Sequence, residues 1–290
     1  MELPFKNLVV VGLGLIGGSI LKTIKDLNLP LEVFGVDLDE EIIKEANKIG
    51  LIDNNDNQLK KIQEDCLIIF AVPSLSIEKA FRLIETSFIY EKVIFTDTFS
   101  SKSNLIEFLE SNTKVKEKFI MSHPIAGSEK SGLANYNSLL FKDKLVVLST
   151  LNGGKDTTEF NKVKNFWEFL GSKVTTLDPV EHDKVFSKTS HLPHIIAFAL
   201  MHYLEEELGH KVFKYSGGSL ENYTRIASSD PLMWRDITIS NKGAVLEAIK
   251  GFESSLNQMS KLIESEDEES ILEYLRFVKE KRDKRLKEDS

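Results

Sequence analysis

The sequence predicts an α/β fold: a doubly wound parallel sheet followed by an all-helical C-terminal domain. Three observations predict it. Short apolar runs alternate with helical patterns through the first half of the chain. A glycine-rich turn joins the first run to the first helix. Beyond Pro179 the strand-like runs cease and helical periodicity continues to the end.

The strand-like runs lie at 7–11, 31–36, 66–71, 92–96, 118–121, 145–148 and 173–177. Each is rich in Val, Ile, Leu or Phe and bounded by turn residues. The first few are nearly continuously apolar, as strands buried on both faces are. Helical patterns at 17–27, 40–49 and 76–85 separate them. Long helical patterns follow at 180–209, 231–264 and 268–287. The middle one repeats Leu246, Ile249, Phe252, Leu256, Met259 and Ile263 at steps of three and four, an apolar stripe at the helical period. The segment 211–229, with Gly217 and Gly218, reads as an irregular link between helices. Residues 279–290 are a charge run that reads as a solvated helix end. Two domains are expected, 1–178 and 179–290.

The 290 residues carry a formal net charge of -8, with 41% hydrophobic and 28% charged residues. This is the balance of a soluble globular protein. An acidic chain repels nucleic acid and anionic membranes, so neither is expected as a partner. Cys66 is the one cysteine, which rules out an intrachain disulfide and suits a reducing, cytoplasmic setting. The first apolar stretch, 8–20, carries four glycines and lacks a signal-peptide cleavage pattern, and no stretch reaches membrane-span length.

"VVVGLGLIGGS", residues 9–19, holds G-x-G-x-x-G at Gly12, Gly14 and Gly17. It follows an apolar strand and opens a helix, and a second strand ends at Asp37, twenty positions after Gly17. That context is what a dinucleotide site requires. Gly12 allows the tight turn, Gly14 lets backbone approach a pyrophosphate, and Gly17 lets helix and strand pack closely. Leu15 and Ile16 open the helix whose free N–H groups would face the phosphates. Asp37 would accept hydrogen bonds from the adenosine ribose. Leu38, Asp39 and Glu40 follow, with no Arg or Lys to receive a 2′-phosphate, so NAD is favoured over NADP. The plainer reading is a glycine-rich turn with no ligand.

Three more runs end in polar or turn residues: "FAVPSLS", with Val72 and Pro73; "TDTFSSK", with Ser100 and Lys102; and "SHPIAGSEKSG", with His123 and Glu129. Strand C-termini line the ligand crevice of such sheets. In the helical half, "SKTSHLPHIIAFAL" places Ser190, His191 and His194 at the start of an apolar helix. His191 reads equally as a packed core histidine. A His-x-x-His zinc pair lacks a third ligand at a sensible spacing. "YSGGSLENYTRIASSDPLMWRDI" carries Gly218, Arg225, Ser229 and Trp234. Arg225 has apolar neighbours, and a buried guanidinium needs an anion, either a structural Asp or a substrate carboxylate.

These motifs in this order make the chain resemble the prephenate/arogenate dehydrogenase family of tyrosine biosynthesis. The resemblance rests on "GLGLIGGS", "DTFSSK", "HPIAGSEKSG", "SHLPHIIAFAL" and "TRIASSDPLMWRDI", and covers nearly the whole chain. It implies a Rossmann domain, then a helical domain carrying a homodimer interface. It implies NAD(P)-dependent oxidative decarboxylation of prephenate or arogenate, with tyrosine as a possible feedback inhibitor. By the same resemblance His123 is the catalytic histidine, and Ser100 hydrogen-bonds both it and the substrate hydroxyl. Arg225 holds the substrate carboxylate. Ser190, His194, Gly218, Ser229 and Trp234 line the pocket, and Glu129 lies near the catalytic histidine. Phe99 departs from the small residue usual before the serine.

Two other readings compete. One is a different two-domain dehydrogenase, such as a hydroxy-acid or pyrroline carboxylate reductase, which would not share the "HPIAGSEKSG" and "TRIASSDPLMW" motifs. The other is a non-catalytic NAD-binding redox sensor, which needs no His, Ser and Arg gathered at the nicotinamide end.

Overall fold

A computed structural model describes residues 3–59, 61–127, 130–151, 153–154 and 157–288 of the chain. The apolar runs form β1 (Asn7–Val11), β2 (Glu32–Val36), β3 (Cys66–Phe70), β4 (Val93–Asp97), β5 (Phe119–Pro124), β6 (Leu145–Ser149) and β7 (Lys173–Thr176). They make one sheet in the order β2-β1-β3-β4-β5-β6-β7. The first five strands are parallel; β6 pairs antiparallel with β5, with His123 opposite Val147, and β7 pairs parallel with β6. The sequence predicts a parallel sheet throughout, so β6 is a correction. A parallel return needs a long crossover, usually a helix. The described residues between β5 and β6 hold turns and one short helical turn, Leu133–Asn135, but no crossover helix, and β6 returns antiparallel.

Helices α1 (Leu15–Asp26), α2 (Glu40–Lys48), α3 (Ile77–Arg82), α4 (Ser103–Ser111), α5 (Thr113–Lys116) and α6 (Thr158–Phe169) accompany the sheet. Alternate strand residues point to opposite faces, and two cores result. Leu8, Val10, Leu67 and Ile69 pack with Ile20, Leu21 and Ile24 of α1 and Phe166 and Trp167 of α6. Val9, Val11, Ile68, Phe70 and Phe95 pack with Phe81 of α3 and Leu105 and Leu109 of α4. Burial on both faces explains why the strands read as continuous apolar runs.

Then follow α7 (Pro179–Phe186), a π-helical turn (Ser187–His191), α8 (Leu192–Leu208), α9 (Gly218–Thr224), α10 (Pro231–Ser240), α11 (Lys242–Glu264) and α12 (Glu268–Glu288). Asp178 caps α7 and Asp230 caps α10, each followed by proline in the first turn. The pattern 231–264 reads as one helix but breaks at Asn241, whose amide donates to the Asp183 backbone carbonyl instead of solvent. The expected irregular link 211–229 is a series of short helical turns, Phe213–Tyr215, α9 and Arg225–Ser228. The chain divides into two compact units, up to Ala244 and from Val245. Helices α7 to α10 lie in the first, where Asp183 binds the Lys102 backbone N–H and Ser101 donates to the Ser240 hydroxyl. The second holds most of α11 and all of α12, with Lys279–Asp283 and Arg285–Glu288 pairs along its surface.

Candidate active site

The nucleotide end is built at the tips of β1, β2 and β3. Gly12 sits at φ +97°, a left-handed conformation natural to glycine. A Cβ there would come 2.5 Å from the Ala71 carbonyl oxygen, and one at Gly17 would come 2.0 Å from the Gly12 carbonyl oxygen. A Cβ at Gly14 would meet nothing within 4 Å, so space stands open over the turn. Helix α1 starts there with no side-chain cap and no acidic residue in its first turn. Its first N–H groups are therefore available to an anion. Asp37 accepts the Leu13 N–H at 2.8 Å and the Asp39 N–H at 3.1 Å. Each carboxylate oxygen keeps a second acceptor site for a ribose hydroxyl. Val72 and Pro73 follow β3, with Val72 facing the Gly12 turn and Pro73 exposed. These residues fit a dinucleotide.

The chemical end lies at the tips of β4 and β5. Asp97, the last residue of β4, is fully buried. It accepts the Ser122 N–H and the Phe99 N–H, both at 2.9 Å, and the Lys102 ammonium. Lys102 is also fully buried and donates to the Phe99 carbonyl at 3.0 Å and the Ser122 carbonyl at 2.7 Å. Three acceptors thus meet its three donors. Burial pushes the Asp97 carboxyl up and the Lys102 ammonium down, and the attraction between them opposes both. Phe99 packs into the core, so the turn carrying Ser100 is folded around Lys102 rather than around a small residue.

His123, 7% exposed near the end of β5, makes a hydrogen bond through Nδ1 to His182 Nε2 at 2.8 Å. His182 Nδ1 in turn lies 2.9 Å from Asp183 Oδ1. Asp183 also accepts from the Lys102 N–H, the Ser103 N–H and the Ser103 hydroxyl, at 2.7, 2.8 and 2.6 Å. It therefore caps α4 from across the fold, with its charge at the helix N-terminus. Phe186 packs on both imidazoles, with centroids 4.7 Å from His123 and 4.5 Å from His182. Burial holds His123 well below its ordinary value, and the charges of His182, Lys102 and His191 add to this. Burial likewise lowers His182, against the pull of Asp183. Burial raises Asp183, but its hydrogen bonds outweigh that and leave it below the usual carboxylate value. Ser100 is half-buried in the β4–α4 loop, and the expected hydrogen bond between it and His123 is not present; His182 takes that position.

The π-turn brings a second group to this end. His191 is buried, with Nδ1 3.3 Å from the Asn241 amide, and burial pushes it down to about 4. His194 Nδ1 donates to the Ser190 carbonyl at 3.0 Å, and its ring stacks on Trp234 at 3.8 Å. Burial lowers His194, and the Arg225 charge lowers it further, so Arg225 lies within electrostatic reach. Trp234 Nε1 is a buried donor without a hydrogen-bond partner among the described residues; His191 Nε2 makes no hydrogen bond of normal geometry there, although the Ser100 backbone lies near enough to the ring to oppose its lowering. The sequence suggests a buried Arg225. The structure corrects this: Arg225 is exposed, on a surface turn where Tyr223 is 48% exposed as well. Gly218 opens α9 at the surface with open space around it, and the half-buried Ser229 precedes α10; α9 and the Arg225–Ser228 turn pack against α8. Glu129 lies outside the described residues.

Sequence reasoning missed His182, Asp183, Asp97 and Asn241. The adjacent His-Asp pair just after a Pro helix start was the available signal.

The family description "Prephenate dehydrogenase, nucleotide-binding domain" matches residues 22–176, and "Prephenate dehydrogenase, dimerization domain" matches 178–277. The chain is 32% identical to a prephenate dehydrogenase of Bacillus subtilis, over 96% of this chain and 75% of that one. It is 36% identical to one of Lactococcus lactis, over 92% and 73%. The solved structure of prephenate dehydrogenase from A. aeolicus with hydroxyphenyl propionate and NAD+ superposes with TM-score 0.86 at 34% identity, covering 98% of this chain and 99% of that one.

Proposed function

Because the chain belongs to the prephenate dehydrogenase family, we propose that it oxidises and decarboxylates prephenate to 4-hydroxyphenylpyruvate with NAD. The observation that supports this most is the setting of His123: buried at a strand tip, one nitrogen held by His182, the other without a protein partner among the described residues. Such an imidazole is a neutral base at pH 7. In this reading His123 accepts the proton of the substrate's ring hydroxyl and Ser100 hydrogen-bonds that hydroxyl. Arg225 holds a carboxylate at the other end. Ser190, His194, Gly218, Ser229 and Trp234 shape the pocket between, and Phe186 keeps water from the base. As the carbinol becomes a ketone, the electrons of the ring–carboxylate bond enter the ring, carbon dioxide leaves and the ring becomes aromatic. NAD, when bound over Gly12, Gly14, Leu15, Ile16, Gly17 and Asp37, supplies the hydride acceptor. The site itself orients the groups, and His123 takes the hydroxyl proton and returns it to the oxygen once the ring is aromatic.

The same site admits arogenate, which differs in an amino group for a keto group on the side chain. Residues 1–178 would carry the cofactor and 179–290 the substrate and dimer contacts. Exposed Leu246, Leu256 and Ile263 on α11 suit a second copy of the chain. Tyrosine shares the product's ring and is the natural candidate for feedback. No helix among the described residues is long and apolar enough to cross a membrane.

The test is NADH formation by purified protein with prephenate and NAD, with arogenate and NADP in parallel. Turnover with prephenate and NAD supports the reading. Turnover with arogenate alone changes the pathway step and keeps the mechanism. NAD binding without turnover supports the sensor reading.

A further inference from the structure

We propose that His182 is a positioning residue for this reaction: held by Asp183, it fixes the ring tautomer of His123 and so decides which nitrogen takes the substrate proton. The argument is a count of protons along a chain of three side chains. Asp183 already accepts two backbone N–H groups and the Ser103 hydroxyl, so it faces His182 as a carboxylate with no proton to give. His182 Nδ1, 2.9 Å away, must therefore carry the N–H. A neutral imidazole has one N–H, which leaves His182 Nε2 as an acceptor. His123 Nδ1, 2.8 Å from that atom, must then be the donor, because the other tautomer would set two lone pairs against each other. The proton of His123 is thereby committed to Nδ1, and Nε2 is left bare.

The geometry is over-determined. The Asp183 carboxylate is gripped by the start of α4, its backbone carbonyl by the Asn241 amide at 2.9 Å, and Phe186 packs against both imidazoles. When Nε2 takes the substrate proton, His123 becomes a cation. Its bond to His182 is then charge-assisted, and this stabilisation appears only as the reaction proceeds. His182 should therefore act on kcat and leave KM nearly unchanged. This role rests on His123 being the base.

The experiment pairs a spectroscopic readout with a substitution series. Nitrogen-15 histidine NMR of the wild-type protein, with the His123 signal assigned by its loss in His123→Asn, should show the proton on Nδ1. His182→Ala should lower kcat at least tenfold, with the KM for prephenate and NAD affinity within about threefold of wild type. His182→Gln offers an amide oxygen that can accept from Nδ1, and should recover most of the lost kcat. A His123 proton on Nε2 in the wild type, or His182→Ala with wild-type kcat, overturns the proposal. The NMR readout needs no variant of His182 to fold and no substrate. A protein inactive on every cyclohexadienyl substrate but with the Nδ1 proton would overturn the function, and the catalytic role with it, and leave only the tautomer assignment standing.

Discussion

The ammonium of Lys102 lies wholly inside the protein against the carboxylate of Asp97, and the same ammonium binds the carbonyl that directly precedes His123. One buried charge thus ties the Ser100 turn to the His123 strand. Removing one partner of a buried pair leaves the other uncompensated, at a cost of about 3–5 kcal/mol. Lys102→Met should therefore destabilise by roughly that amount, because Asp97 and two carbonyls lose their partner together. Urea unfolding measures it. Adding Asp97→Asn to Lys102→Met should return part of the loss, and a double variant no more stable than Lys102→Met would show that the ion pair is not what matters.

His123→Asn should lower kcat by at least roughly a hundredfold, the usual effect of a lost general base, while the KM for prephenate moves little. Steady-state kinetics of NADH formation reads both. Near-normal turnover would move the base elsewhere.

The strands could be read because each is buried on both faces, so apolar runs and strands coincide residue by residue. His123 could be read because it sits within a polar motif at a strand tip. His182 and Asp183 offered only a weak local signal, an adjacent His-Asp pair after a Pro helix start, and their meaning comes from α7 folding back onto the start of α4. Asn241 was hidden for a similar reason. The apolar period continues through it, and only its hydrogen bonds to Asp183 and His191 show why the helix breaks there. Arg225 misled because apolar neighbours in sequence suggested burial, whereas Tyr223 and Arg225 both face outward.

Acid should unfold this protein early. His123, His182, His191 and His194 are all held below the ordinary histidine value of 6.5 in the fold. Each therefore binds a proton more readily in the unfolded chain. The stability they contribute is fully present above pH 6.5 and is lost as the pH falls toward the folded value, about 4 for His191. The buried His123, His182 and His191 each contribute a slope of up to about 1.4 kcal/mol per pH unit within their windows, and the half-exposed His194 less, because solvent screens it. Asp183, held below 3.8, adds its own loss only at still lower pH. Thermal unfolding between neutral pH and pH 4 should show Tm falling steadily, and His191→Gln should flatten part of that fall. A Tm independent of pH over this window would contradict the burial of these rings.

Arg225→Ala should raise the KM for prephenate by roughly tenfold to a hundredfold, the loss of a hydrogen-bonded charge of about 1.5–3 kcal/mol, with a smaller change in kcat. A kcat loss as large as the KM change would mean that Arg225 acts on the transition state as well as on binding.

The glycine turn separates folding from cofactor binding. A methyl at Gly17 would sit 2.0 Å from the Gly12 carbonyl oxygen, backbone that cannot swing away, so Gly17→Ala should force β1 and α1 apart and lower Tm. A methyl at Gly14 meets nothing within 4 Å, so Gly14→Ala should fold with wild-type Tm. The space that methyl enters lies at the uncapped start of α1, where the pyrophosphate must approach backbone closely. Gly14→Ala should therefore weaken NAD binding severely while leaving stability intact, as titration calorimetry beside a melting curve would show. Wild-type NAD affinity in Gly14→Ala would mean that the cofactor crosses the sheet somewhere other than this turn.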